Sequence, residues 1–492
     1  MLTLSCQLSE KQPKGVAMAI HVLNPEQKAF TINMEPSVYG TFAEIGAGQE
    51  VARTFFHAGG AAGTIAKTIS AYDMSVSDAI YGKEESGRYV CQPRLKKMLK
   101  REYDQLIDRL GAKRPPETTF FAYGTTAAAK SYRSSRECHA WLGVKFQIVP
   151  KGAPSEVIVH VKMLDKENLQ QQQALGVVGV NLIYACYNHT DDPDKFVSSL
   201  MDSVTPGRVE IDMIEVDGPA FMGIDSRILS LQLVKLGYTD CVLFDSYGNV
   251  RNASDELYKK NVLILRGSWR PPTLVNMDML ETGTKLFKER LGNNASIMVL
   301  PEISMSKLKE RGEINSKDFL ARVDLLASLG ERVLITNFTP YHDLAMYLRK
   351  YTSMSRMGFV LGVYNLEEIM DESKYTDTSS GVLGAMGMII GHNTELLLYP
   401  ATESDQGGGS LTCIVNSENL NVTESKKILI QYLKKEGNLV DINDFNPKYT
   451  DIWSRQVLKM IQEGKDGWER MVPELVADLV KDKQLFGYVR KD

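Results

Sequence analysis

The sequence predicts an α/β fold: a mostly parallel sheet with flanking helices, a β-hairpin-bearing segment and a helical C-terminal region. Three observations carry this. Short apolar runs such as DCVLF (240–244), VLIL (262–265) and ERVLITN (331–337) alternate with stretches at helical spacing. That alternation builds parallel sheets, because a parallel crossover needs a connection of helix length. One stretch departs from it: 140–150 and 156–163 read as two strands joined by the KGAPS turn, a hairpin. Past residue 420 the pattern turns helical.

The elements follow in order. FAEIGAGQEVARTFF (42–56) is a short apolar strand or turn entering a helix, and AGGAAGTIAKTISAYDM (58–74) a small-residue loop running into a second helix. Residues 92–110 carry apolar positions at helical spacing with charges between them, an exposed amphipathic helix stopped by RPPE (114–117). TTFFAYGTTAAA (118–129) is a buried strand. Helices are expected at 168–187 and 195–204, then the strand RVEIDMIEV (208–216) and a helix at 228–236. GSWRPPTLVN (267–276) cannot be regular across its proline pair. Helices at 278–291, 316–329 and 342–351 alternate with the strands SIMVLPEI, ERVLITN, GFVLGVY and LLLYP, followed by the Gly407–Gly409 loop. Composition shifts divide the chain into a Gly-rich N-terminal α/β region (1–115), a hairpin plus buried helix (116–205), a main α/β region (206–420) and a helical C-terminal region (421–492).

The 492 residues are 43% hydrophobic and 24% charged, an ordinary globular balance that excludes a disordered or fibrous chain. A formal charge of −4 gives no basic coat for nucleic acid and no membrane-surface patch. The longest apolar stretch, 174–187, is shorter than the roughly 20 residues a bilayer span needs. The first residues lack a signal-peptide pattern. Six scattered cysteines without a C-x-x-C pair read as reduced thiols. The expected location is cytoplasmic, with neither nucleic acid nor membrane as partner.

Four clusters could carry chemistry. Gly46 and Gly48 sit between an apolar segment and a helix start, where backbone amides can hold an anion. Gly60, Gly63, Thr64, Lys67 and Thr68 form a degenerate phosphate loop, with Ala61 and Ala66 where a true one needs glycines. The competing reading of both is tight packing of small residues. Asp217 and Asp225, at and beyond the carboxyl end of the 208–216 strand, could hold Mg²⁺ or act as general base. Solvent-facing alternation explains the neighbouring acids equally well. Arg266 and Arg270 flank an exposed-looking Trp269 before Pro271-Pro272, and arginine suits bidentate phosphate contact. An interdomain contact is the alternative. Phe244-Asp245-Ser246-Tyr247 lacks the second acid of an aspartate-nucleophile loop and reads as a polar turn. The seven histidines form no motif, and no G-x-S-x-G elbow is present.

FAEIGAGQEVARTFF, GGAAGTIAKTISAYDM, QQQQALGVVGVNLIYACYNH, RVEIDMIEVDG, LYKKNVLILRGSWRPPTLVNMDML and WERMVPELVADLVKDKQLFGY together resemble one bacterial family of similar length. The resemblance spans nearly the whole chain. Members carry two labels, nicotinate-nucleotide adenylyltransferase and TonB-dependent receptor. The receptor label conflicts with the lack of an export signal and of alternating ten-residue segments. The adenylyltransferase label implies an H/T-x-G-H motif and a later S-x-T-x-x-R. Gly391-His392 is preceded by Ile389, so the first is absent. Ser203–Arg208 matches the second, but precedes the Gly-His pair and contains Pro206-Gly207.

Two functions are therefore expected. The first is an enzyme acting on a small phosphorylated or nucleotide ligand, such as ATP or a nicotinate or nicotinamide nucleotide, by nucleotidyl or phosphoryl transfer with Mg²⁺. The second is a non-catalytic homo-oligomeric assembly or binding protein, with the small-residue helices and the apolar 174–187 helix as subunit contacts.

Overall fold

The computed structural model describes residues 22–490, apart from 47, 131–136, 293, 311, 353–354, 376–379, 392 and 405–411. The Gly407–Gly409 loop, Ala47, His21 and His392 lie outside the described residues. The chain builds two main sheets. The first contains β1 (Val38–Gly46), β2 (Ile65–Ile69), β3 (Thr119–Ala128), β4 (His139–Phe146), β5 (Ser155–Met163) and β6 (Val209–Asp217), in the order β2-β1-β3-β4-β5-β6. Its first three strands are parallel, and β3 to β6 form an antiparallel meander. β1 and β3 read as nearly continuous apolar runs because they are buried on both faces. One face packs against helices Pro25–Asn33, Glu50–Ala58 and Asn168–Asn188 through Phe42, Val51, Phe55, Leu175 and Val178. Helix Gln92–Leu110 covers the other with Leu95 and Leu99.

The second sheet contains β7 (Cys241–Phe244), β8 (Val250–Arg251), β9 (Asn261–Arg266), β10 (Ile297–Ser304), β11 (Val333–Thr336), β12 (Met357–Gly362), β13 (Thr394–Tyr399) and β16 (Leu439–Asp441). β14 (Ala401–Ser404) and β15 (Thr412–Val415) form a separate antiparallel pair. The order is β16-β13-β12-β9-β10-β11-β7-β8. The six strands from β16 to β11 are parallel, and β7 and β8 are antiparallel additions at the edge. From β9 the chain steps outward through β10 and β11. It then returns to the other side of β9 for β12, β13 and β16. This reversal is the topology of a doubly wound α/β sheet. Helices Ser454–Gln462 and Glu474–Asp482 fold back onto helix Ser316–Ser328 around Leu325, Val457 and Trp468.

The α/β class, the mostly parallel pairing, the hairpin and the helical end are all present. The first sheet runs through positions 115 and 205, and the change of sheet falls between β6 and β7. The C-terminal region also supplies β16 to the second sheet. Two local expectations are corrected. IAKTI (65–69) is an edge strand parallel to β1, and the helix begins only at Met74 after its Asp73 cap. A five-residue strand with one protected side carries little periodicity to read. Trp269 is buried, not exposed: its indole Nε1 donates to the Glu302 carbonyl at 3.2 Å. The apolar helix around 174–187 packs inside the first core.

Candidate functional site

Gly46, Gly48 and Gly60 each meet a local backbone or packing need, and Gly63 meets none. Gly46 has φ +79°, and a side chain on Gly48 would strike Thr125. The start of helix Glu50–Ala58 is already capped by a carboxyl of the chain's own. Glu44 accepts from the Val51 and Ala52 amides at 3.2 and 3.3 Å. Burial pushes its carboxyl up to about 8 against the pull of those amides. Gly60 and Gly63 bracket a single 3₁₀ turn, and Thr64 is buried with its hydroxyl on the Asn33 carbonyl. Lys67 pairs with buried Glu102, which also accepts from Tyr81 at 3.0 Å. Thr68 is exposed on the same edge strand.

The acids and arginines lie elsewhere. β2 and β6 are the opposite edges of a six-stranded sheet, so Lys67 and Asp217 stand about 24 Å apart at ~4.8 Å per strand. Asp217 ends β6 in solvent. Asp225 caps helix Ser226–Lys235 and is bound by Arg227, which reaches Asp324 at 2.5 Å. With its oxygens committed to the Arg227 guanidinium, Asp225 does not suit Mg²⁺. Among the described residues no group of three or more His, Cys, Asp or Glu is arranged to hold a metal. Arg270 pairs with Asp318 at 2.5 Å, on the same helix as Asp324. Arg266 lies over the Tyr341 ring and donates to Glu302, fully buried, and to the Phe338 and Thr339 carbonyls. The phosphate-loop residues and Asp217 therefore stand at opposite edges of the first sheet, while Asp225, through Arg227, and Arg270 both meet helix Ser316–Ser328.

The loop after β9 nonetheless occupies a distinctive place. In open α/β sheets ligands bind beyond the carboxyl ends of the strands, where the strand order reverses. Here that point lies between β9 and β12. Their register pairs Val360 with Leu265, and Gly362 and Gly267 each follow two residues further along the chain. Gly362 has φ −71°, a conformation open to any residue. A Cβ there would touch only the Asn365 Oδ1, at 3.4 Å. Neither backbone nor packing demands this glycine. Two residues past Gly267, Trp269 has φ +52°, a left-handed conformation that costs a bulky residue energy. Helix Leu274–Leu291 starts where the loop ends, with Thr273 tied to Asn276. The Asn446 amide and the Tyr399 hydroxyl both donate to Asp278 of this helix, at 3.0 and 2.5 Å.

A second constellation escaped the sequence reading. β4, β5 and β6 place polar side chains two residues apart on the face turned to the second sheet: His139 and Trp141, His160 and Lys162, Glu210 and Asp212. The register slips after His160 and leaves Asp212 without a cross-strand partner, so a bulge aims its carboxylate at the imidazole. His139 Nδ1 lies 2.9 Å from His160 Nε2, and His160 Nδ1 lies 2.5 Å from Asp212 Oδ1. Lys162 sits 3.0 Å from Asp212 and 3.2 Å from Glu210, and donates to the Tyr351 hydroxyl at 2.8 Å. Asn252 donates to Asp212 at 3.1 Å. Burial alone would raise the Asp212 pKa, but His160 and Lys162 hold it well below the carboxylate range. Burial and His160 lower His139 to about 4. With Asp212 ionised and accepting from His160 Nδ1–H, His160 Nε2 accepts from His139. The chain can thus pass a proton from imidazole to imidazole. The pattern H-x-W, H-x-K, E-x-D in three successive buried strands was the available signal.

No protein-family model matches the chain, and no curated protein matches it in sequence. Among solved structures, the competence/damage inducible protein CihA from Agrobacterium tumefaciens aligns at 16% identity, over 34% of this chain and 98% of its own, with a TM-score of 0.26. A competence-damaged protein (CinA) superfamily protein from Escherichia coli aligns at 13%, over 35% and 95%, with a TM-score of 0.25. Another from Enterobacter cloacae aligns at 10%, over 36% and 97%, with a TM-score of 0.24. No described helix is long and apolar enough to cross a membrane.

Proposed function

We propose that the chain binds a small phosphorylated or nucleotide ligand at the switch point of its second sheet, between the Gly267 loop and Gly362. The observation that supports this is the strand order. It is the reversal on which dinucleotide-binding sheets place a pyrophosphate, with a loop and a helix start following the first strand. A glycine follows each of these paired strands, and one of them, Gly362, meets no local need. Glycine at such a point lets phosphate oxygens approach the backbone. Arg266 and Arg270 act by holding the loop through Glu302 and Asp318, and their fixed guanidinium pairs position it. Nucleotidyl or phosphoryl transfer is the chemistry such a site serves, since it asks mainly for positioning and charge neutralisation. Mg²⁺ belongs to this reading only as a companion of ligand phosphates, which leave the protein one or two oxygens to supply.

The test is binding of ATP, NAD and nicotinate mononucleotide, measured by thermal shift and calorimetry. At least one should raise the melting temperature saturably. Gly362→Val places a side chain in the crevice at an unstrained position. It should leave the unliganded melting temperature within a few degrees and weaken that ligand by about tenfold or more. Wild-type affinity in the Gly362→Val variant, or no shift with any of the three at millimolar concentration, rejects the site.

A further inference from the structure

A cavity of about 280 Å³ opens beside the His–Asp network, between helix Gln92–Leu110, β4 and the start of helix Ala253–Leu257. Its lining includes Trp141, Arg88, Asn252, Asp255 and Glu256. Trp141 is 2% exposed, and its indole N–H has no hydrogen-bond partner among the described residues. A buried indole donor normally finds one. Asn252 fixes one wall, because its side chain bonds Asp212 on one side and caps the Asp255 amide on the other. At the mouth Arg88 spends one nitrogen on Asp255, at 3.0 Å, and its remaining donors are open to a ligand. Glu256 has no charged or hydrogen-bonding side-chain partner among the described residues. Two kinds of group are thus uncommitted: donors suited to a carboxylate, and an acid suited to an ammonium.

We infer that this cavity is a binding site for a small zwitterion, an α-amino acid. Its carboxylate takes the Trp141 N–H and the Arg88 guanidinium. Its ammonium lies between Asp255 and Glu256. The volume is at the lower end for ligand pockets, roughly 300 Å³ and upward, which favours a compact ligand. The site is separate from the switch point and does not depend on what binds there. Trp141 also packs on His160, with ring centroids 4.6 Å apart, so a ligand on the indole is read directly by the imidazole chain behind it.

The experiment titrates the full chain with each protein amino acid, following tryptophan fluorescence and melting temperature. At least one amino acid should bind saturably at millimolar concentration or below. Trp141→Phe and Arg88→Gln should each weaken it about tenfold. Arg88 is more than half exposed, so Arg88→Gln keeps the fold whatever happens at Trp141. Glu256→Gln should weaken the amino acid and leave propionate, which lacks the ammonium, unaffected. The inference is overturned if no amino acid binds, if Arg88→Gln binds like wild type, or if propionate binds as tightly as the best amino acid.

Discussion

Glu44 shows how a single residue can mislead a motif reading. A glycine pair before a helix predicts an external anion, and the chain fills that place itself with the Glu44 carboxyl of the preceding strand. Nothing in the spacing of Glu44 and Val51 marks that pairing. Its pKa carries a testable sign. The folded value of about 8 exceeds the ordinary 4.5, so the folded state holds the proton more tightly than the unfolded one. The stabilisation from this group is complete below pH 4.5 and is lost as pH rises through 8. Glu44→Gln keeps the shape and removes the charge. It should stabilise the protein at pH 8 by about 3 kcal/mol and change little at the acid end, in urea denaturation at both pH values. Equal effects at the two ends would show that folding does not shift the Glu44 pKa. Trp269 is the converse case. Two flanking arginines made it look exposed, yet both guanidiniums turn to acids and carbonyls of their own and leave the ring in the core.

Elements were most legible where both faces of a segment impose a pattern. Helix Gln92–Leu110 matches the expected 92–110 because its charged and apolar positions separate cleanly. The β4–β5 hairpin was readable as two apolar runs joined by the KGAPS turn. What sequence cannot carry is the partner an element meets. The small residues of helix Asn168–Asn188 are contacts: a Cβ on Gly176 would stand 2.5 Å from Glu50, and one on Gly179 would stand 2.4 Å from Val51 and 2.5 Å from the Tyr123 hydroxyl. Helix Glu50–Ala58 can approach only because those side chains are absent. Gly179→Ala should therefore destabilise, by about 1–3 kcal/mol, despite the better helix propensity of alanine. Val51→Ala in the same chain should recover part of that loss. Equilibrium unfolding of the two single variants and the double variant measures the coupling, and strict additivity would place the clash elsewhere.

At the scale of the whole molecule, the seam between the sheets is where sequence reading ended. His139, His160 and Asp212 are joined only by strand register, and Lys162 meets Tyr351 across 189 positions of chain. The same seam is apolar around its polar centre. Leu95, Leu99, Trp141, Ile158 and Met213 of the first half share one core with Val242, Leu263, Ile303 and Val360 of the second. A core continuous across two sheets joins their stabilities, so the halves should unfold together. Lys162 tests this most sharply. It carries the positive charge between Asp212 and Glu210, and those acids hold its pKa above the ordinary value against burial. Lys162→Met fills the same space and leaves both carboxylates buried without a counter-charge. The expected cost is about 3–5 kcal/mol. Because the seam is shared, the loss should move a single transition, with tryptophan fluorescence and far-ultraviolet circular dichroism shifting together. Two separated transitions, with only one displaced, would show that the sheets are independent units and that the network merely decorates their contact.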